Sequence, residues 1–269
     1  MLVGSAPSEL KLGSTTVTGV RRGVGLIYDS DVAAFQKASG ATQVGPILAL
    51  VDYLKAESLW DYARFYPMKS SQNAGSGSTV YGLGGLTSNN MTLVNSPTWG
   101  SDGVTFDAAS SQYGTISDFS GGGTVSYWFR GTPATSGVGV LLSQWKDSED
   151  ERSVQIFDFS GQLRVARSSD GAVLDVYSNG TTPSTDTCLS AEWVDGGGRT
   201  LWINKQQESL TLVAGASKTS RHNSTADIRL MGQDGSESYE SGTAVLAGFI
   251  ETALTTTQRE NITDLINAL

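Results

Sequence analysis

The sequence holds one histidine and one cysteine in 269 residues, which limits the chemistry it can perform. His222 lies in the polar run Arg221-His222-Asn223-Ser224. A nucleophile–base–orienter triad needs partners that this run does not supply, so His222 reads as a solvated loop residue. Cys188, in Thr187-Cys188-Leu189, excludes an intrachain disulfide and reads as a small buried apolar side chain rather than a nucleophile. Zinc sites take several His or Cys ligands, more than this chain owns. Neither a Gly-x-Ser-x-Gly elbow nor a phosphate-binding glycine loop occurs. A glycosidase needs only two carboxylates about 5–10 Å apart. On one strand they would share a face through a Glu-x-Asp-x-x-Glu string, and the chain has no such string. The sequence therefore predicts no catalytic residues and no enzyme.

Binding chemistry is better represented. The acidic run Asp147-Ser148-Glu149-Asp150-Glu151 falls between two predicted strands. It reads as a solvated hairpin tip, with Asp147, Glu149 and Asp150 as the hard-oxygen ligands if Ca²⁺ binds; no other cofactor is expected. Glycan binding needs aromatic platforms beside hydrogen-bonding side chains. Trp145 sits just before the acidic run, Tyr177 and Asn179 flank a second turn, and Tyr239 lies in the polar loop Ser236-Glu237-Ser238-Tyr239-Glu240. These four are the candidate glycan-binding residues, against the alternative that each aromatic is a partly buried edge residue. Trp128, Trp193 and Trp202 fall inside predicted strands and are assigned to the core.

Composition narrows the partners. With 27 acidic against 18 basic residues the net charge is −9, which argues against nucleic acid. No apolar run reaches the ~18 residues of a membrane span, so no membrane insertion is expected. Met1 to Ala6 lacks the basic and apolar segments of a secretory signal. Thirty-two glycines and only 17% charged residues fit an all-β protein with many turns.

The elements that would position these side chains are short strands. Runs at 104–107, 112–117, 123–131, 138–146, 153–159, 162–167, 172–177, 187–194, 199–205, 209–213, 226–232 and 243–251 are rich in β-branched and aromatic residues. Turn residues such as Ser160-Gly161 and Asn179-Gly180 separate most of them, as in a sandwich. Leu86 to Val94 supplies a further strand. Residues 1–28 carry a period-ten repeat in which Gly13 matches Gly23 and Val17 matches Ile27. They read either as a hairpin turning at Thr18-Gly19 or as a flexible tail. Residues 29–67 read as a small helical module: Ser30 caps a helix with Val32 and Phe35, Pro46 opens one with Ile47, Leu50, Val51 and Leu54, and Glu57 to Phe65 forms a third. Residues 68–84 read as a Gly/Ser-rich linker before a sandwich over 85–269. The sandwich closes on a helix capped at Thr255 or Thr257, with Ile262, Leu265, Ile266 and Leu269 on one face.

Several of these strings resemble the concanavalin A-like, laminin-G-like jelly roll. They are Gly103-Val104-Thr105-Phe106-Asp107, Thr124-Val125-Ser126-Tyr127-Trp128, Arg199-Thr200-Leu201-Trp202-Ile203-Asn204-Lys205 and Gly248-Phe249-Ile250-Glu251 with the following Leu254-Thr255. Lys205 stands where that family has glycine, and its "W-H-H-V-A" strand is matched only by Glu192-Trp193-Val194. The resemblance implies a mainly β antiparallel sandwich that binds, often glycans. The repeat arm with Leu50-Val51-Asp52-Tyr53-Leu54 and Leu59-Trp60-Asp61-Tyr62 resembles tailed-phage virion proteins. That resemblance implies a virion location and partners among other phage virion proteins. It also implies a homo-oligomer, with Leu12, Val17, Val20, Leu26, Ile27 and Tyr28 attaching it to the particle. The functions it implies are a tail fibre, baseplate adhesin or head spike presenting the sandwich to a host cell-surface polysaccharide. A decoration or adaptor protein without a glycan ligand is the second expectation, and a glycan hydrolase the third.

Overall fold

The computed structural model describes residues 11–12, 15–16, 19–22, 25–86, 89–117, 123–134, 138–146, 151–172, 174–234 and 238–269, with side chains from residue 29 onward. Two hairpins come first, β1 (Lys11–Leu12) with β2 (Thr15–Thr16) and β3 (Gly19–Arg22) with β4 (Gly25–Asp29). Helices α1 (Ser30–Ser39) and α2 (Gly45–Ala56) follow. Next are β5 (Ala63–Pro67), β6 (Thr79–Val80), β7 (Met91–Val94), β8 (Thr98–Gly100), β9 (Gly103–Phe106) and β10 (Tyr113–Ile116). Then come β11 (Val125–Pro133), β12 (Val138–Lys146), β13 (Glu151–Phe159), β14 (Gln162–Gly171), β15 (Leu174–Ser178), β16 (Thr187–Trp193) and β17 (Arg199–Ile203). The last elements are β18 (Gln206–Gln207), β19 (Thr211–Ala214), β20 (Ile228–Leu230), β21 (Gly242–Ile250) and α3 (Thr256–Asn267).

These strands form two antiparallel sheets stacked as a sandwich. Sheet one runs β19-β15-β14-β13-β12-β20-β10-β7-β6, and sheet two runs β18-β17-β16-β11-β21-β9-β8. One edge of β21 is shared, with Ala244 opposite Val104 of β9 and Leu246 to Ile250 opposite β5. Alternate residues of a strand face opposite sides. On sheet two the inward set (Tyr127, Phe129, Leu189, Trp193, Phe249) meets Val154, Ile156, Leu163 and Val165 of sheet one. The outward set (Phe65, Trp128, Cys188, Leu246, Ile250) is equally apolar and is covered by Phe35 of α1, Ile47, Leu50 and Leu54 of α2, and Ile262 and Ile266 of α3. Arg259 of α3, 2% exposed, anchors that layer: it pairs with Glu192 at 2.9 Å and lies over Trp128 and Trp202.

The sandwich strands fall close to their predicted spans, and Trp128, Trp193, Trp202 and Cys188 are all buried. Burial pushes the Cys188 thiol up to about 12. One departure arises from a pairing partner distant in sequence. The expected third helix is a single 3₁₀ turn, Trp60–Tyr62, and Ala63 to Pro67 is a strand because β21 offers it a free edge. Asp29, not Ser30, caps α1, accepting from the amides of Asp31 (2.9 Å) and Val32 (3.3 Å). Thr255 caps α3 in a capping box with Gln258, one of the two expected pairs. In the N-terminal repeat each copy folds back on itself, so two hairpins replace the one expected at Thr18-Gly19; a two-residue connection favours that local pairing. Val17 lies outside the described residues, and Leu12, Val20, Leu26, Ile27 and Tyr28 lie in strands β1, β3 and β4.

Residues 68–84 are an ordered strap rather than a linker. Asn73, 1% exposed, donates to the carbonyls of Pro67 (2.8 Å) and Tyr81 (2.9 Å) and accepts from the amides of Ala74 (2.8 Å) and Tyr81 (3.0 Å). Gln72 donates to the Leu269 carbonyl at 2.9 Å. An orphaned buried polar group costs about 1–3 kcal/mol. Asn73→Ala should therefore destabilise the fold by about 3 kcal/mol or more in urea unfolding; a loss of a few tenths would refute the strap's role.

Candidate functional site

Inward parity on three strands carries charge where a core residue is expected. Arg167 follows Leu163 and Val165 on β14, Asp175 precedes Tyr177 on β15, and Arg199 precedes Leu201 on β17. β15 and β17 belong to different sheets, so these charges meet at one open side of the sandwich. Arg167 and Asp175 are 0% exposed and the Arg199 side chain 3%. Arg199 forms a two-pronged ion pair with Asp175 and donates to the Lys218 carbonyl at 3.2 Å. Its guanidinium lies 4.1 Å above the Tyr177 ring. Arg167 donates to the carbonyls of Val194 and Thr219 (both 3.3 Å) and Gly197 (3.1 Å). Burial, then the neighbouring Arg199, pulls its guanidinium down to about 10, still protonated at neutral pH.

Beside this charged cluster, with Arg199 in its lining, lies a cleft of about 490 Å³. The chain crosses there from β18 of sheet two to β19 of sheet one, and the crossing builds the outer wall from Gln207, Glu208, Ser209 and Leu210. Tyr177, Gly198, Arg199 and Ser217 line the other sides. Asn179 stands beside the cleft, its Nδ2 3.5 Å from Glu208 Oε2 and its Oδ1 holding the Thr181 amide at 3.1 Å. The result is a concave site lined by one aromatic ring, the Gln207 amide, the Glu208 carboxylate, two serine hydroxyls and Arg199, whose charge is paired with Asp175 behind it. Such a mixture of a small apolar surface and convergent polar groups suits a polar organic ligand.

The structure thus brings together Tyr177 and Asn179 but not the other two glycan candidates. Trp145 is 4% exposed and packs with Ala166 and Val176, which lie on the opposite face of sheet one from Tyr177. A one-residue register shift with β13 near Gln144/Trp145 and the Arg152 guanidinium 5.8 Å from its ring accompany this burial. Trp145 is therefore not a rim platform. Tyr239 stacks on Tyr113 (5.9 Å between centroids) beneath Arg229. Tyr113 is on β10, five strands from β15 in sheet one, which at sheet spacing is about 24 Å. Asp147, Glu149 and Asp150 lie outside the described residues. Among the described residues no group of three His, Cys, Asp or Glu side chains is arranged to hold a metal ion. His222 is more than a solvated loop residue: its amide donates to the Ser168 carbonyl at 2.7 Å and its Nε2 lies 3.6 Å from Glu151 Oε2. Arg167, Asp175, Arg199 and Glu208 were not singled out in the sequence. For the first three the signal was present as charge at core parity; Glu208 is recruited by the crossing and had none.

Another carboxylate is unusual. Glu240, 4% exposed, is pushed up to about 7 by burial and then by the Asp158 charge, despite accepting from the Ala134 and Ser241 amides. Asp158 is itself 0% exposed and accepts from Thr182 and Gly161.

No protein-family model and no curated protein matches the sequence. Solved structures do match. The ligand-binding domain of botulinum neurotoxin serotype D in complex with N-acetylneuraminic acid superposes with a TM-score of 0.54 at 8% identity over 80% of this chain and 52% of that one. The serotype D binding domain gives 0.54 at 9% identity over 77% and 52%. A type C toxin structure, described as dependent on two ganglioside molecules for cell entry, gives 0.52 at 7% over 78% and 53%. The chain spans about half the length of these structures, and at this identity the likeness establishes the fold, a β-sandwich.

Two outcomes follow. Removing one partner of a buried ion pair costs about 3–5 kcal/mol, whereas replacing both by apolar groups is close to neutral. Arg199→Met and Asp175→Leu should each destabilise by that amount in urea unfolding, and the double variant by less than their sum; additive losses would contradict the pairing. Glu240 binds its proton more tightly folded than unfolded. Its contribution is full below the ordinary glutamate range and fades as pH rises through about 7. Stability measured from pH 4.5 to 8 should decline less steeply in Glu240→Gln than in the parent; parallel curves would refute the assignment.

Proposed function

We propose that this chain is a non-catalytic glycan-binding protein of a tailed-phage particle. The cleft between Tyr177 and Glu208 receives a saccharide of the host cell surface. The observation that carries the reading is the cleft itself, where a rigid aromatic ring and hydrogen-bonding groups of both kinds converge at the open side of a sandwich. The fold neighbours are in keeping with it, since one of them is a ligand-binding domain in complex with N-acetylneuraminic acid and another concerns ganglioside interaction. The paired N-terminal hairpins support the attachment role, with the sandwich facing outward in a symmetric homo-oligomer.

A second reading, a decoration or adaptor protein, draws on β19. All four of its residues are exposed, Leu212 by 41% and Val213 by 45%, at the free edge of sheet one, where a partner's strand could pair.

The two readings separate on binding of the full chain to extracted host polysaccharide. A charged hydrogen bond contributes about 1.5–3 kcal/mol, so Glu208→Ala should weaken saturable binding about tenfold or more. A folded protein that binds no polysaccharide would overturn the glycan reading and leave the adaptor.

A further inference from the structure

A second concave site lies on the far side of sheet two, where α1 passes over the loop between β6 and β7. Its volume is about 320 Å³. Trp60 and Tyr81 present aromatic rings to it, and Arg64, Asp31 and Asn90 present polar groups. Asp31, Ala34, Phe35 and Ala38 of α1 line it, and the small Ala34 and Ala38 side chains leave space for a ligand.

Each polar group is held at one end and unused at the other. Asn90 Oδ1 accepts the Gly82 amide at 3.0 Å, which turns its Nδ2 donors outward. Asp31 is anchored by Lys55 yet its side chain remains 48% exposed. Lys55 in turn sits 4.8 Å over the Trp60 ring and fixes it. Arg64 has five N–H donors, but among the described residues it bonds one acceptor, the Gly84 carbonyl at 3.1 Å. Its Nε is buried without a partner. Gly82 leaves room for the Arg64 guanidinium, since a Cβ there would stand 2.8 Å from Nη2. Arg64 thus keeps donors free for an acceptor oxygen in the groove.

We propose that this groove is a second saccharide site, taking one pyranose ring. The ring's apolar face lies on Trp60 or Tyr81, its hydroxyl oxygens accept from Arg64 and Asn90, and one hydroxyl donates to Asp31. A pyranose fits because the groove offers donors, an acceptor and flat apolar surface within the space of a single ring. The site rests on the reading of the chain as a glycan binder, but not on the cleft at Tyr177, which lies at a different edge of the sandwich. Two sites on one chain would give avidity toward a repeating polysaccharide.

The test is titration of the ¹⁵N-labelled full chain with methyl pyranosides of glucose, galactose, mannose, N-acetylglucosamine and N-acetylneuraminic acid, following the Trp60 indole N–H signal assigned through Trp60→Phe. At least one sugar should shift that signal saturably. Asn90→Ala, a change at an exposed side chain, should weaken the response about tenfold, and Glu208→Ala should leave it intact. An unmoved Trp60 signal in a chain that binds host polysaccharide through Glu208 overturns the groove and leaves the function standing. An unmoved signal with no polysaccharide binding overturns both. A shift unaffected by Asn90→Ala, or abolished by Glu208→Ala, also overturns the groove.

Discussion

Trp128 points away from the inter-sheet core, and with Phe65, Leu246 and Ile250 it makes the outer face of sheet two as apolar as the inner one. Such a face cannot be left in water, since burying each large side chain is worth about 1.5–3 kcal/mol. The helices are the answer to this constraint. α1, α2 and α3 come from opposite ends of the chain and close over the same strip of sheet two. The Arg259–Glu192 pair and the Asn73 strap fix the polar parts of that layer. The helical segment therefore forms a second apolar layer on the outer face of sheet two, and the groove at Trp60 lies where α1 crosses that face.

The same constraint sorts what could be read from the sequence. Strands such as Thr187 to Trp193 and Val138 to Lys146 were legible because β-branched and aromatic runs are bounded by turn residues. Ala63 to Pro67 was not, because its strand state depends on the edge of β21, about 180 residues away in the chain. Trp145 was misplaced on the rim because adjacency to a charged loop says nothing about which face of a strand a side chain occupies. The parity of Arg167, Asp175 and Arg199 against Leu163, Val165 and Leu201 was available, and it is the signal that locates the cleft. Glu208 could not have been found this way, since its position depends on how the chain crosses between sheets.

The buried Arg199–Asp175 pair has a structural and a functional side. It locks Tyr177 by covering one face of its ring, so the cleft is preorganised rather than a mobile aromatic surface. That arrangement differs from an open stacking platform and leaves recognition to Glu208, Gln207, Asn179 and the serines. Ligand selectivity should then come from hydroxyl and carboxylate placement more than from ring stacking.

The most direct measurement is hydrogen-exchange protection of the full chain with and without the host's extracted polysaccharide. The account requires protection over 177–181 and 207–210, the two walls of the cleft. Protection confined to the β19 edge at 211–214, or to the N-terminal hairpins, would contradict it.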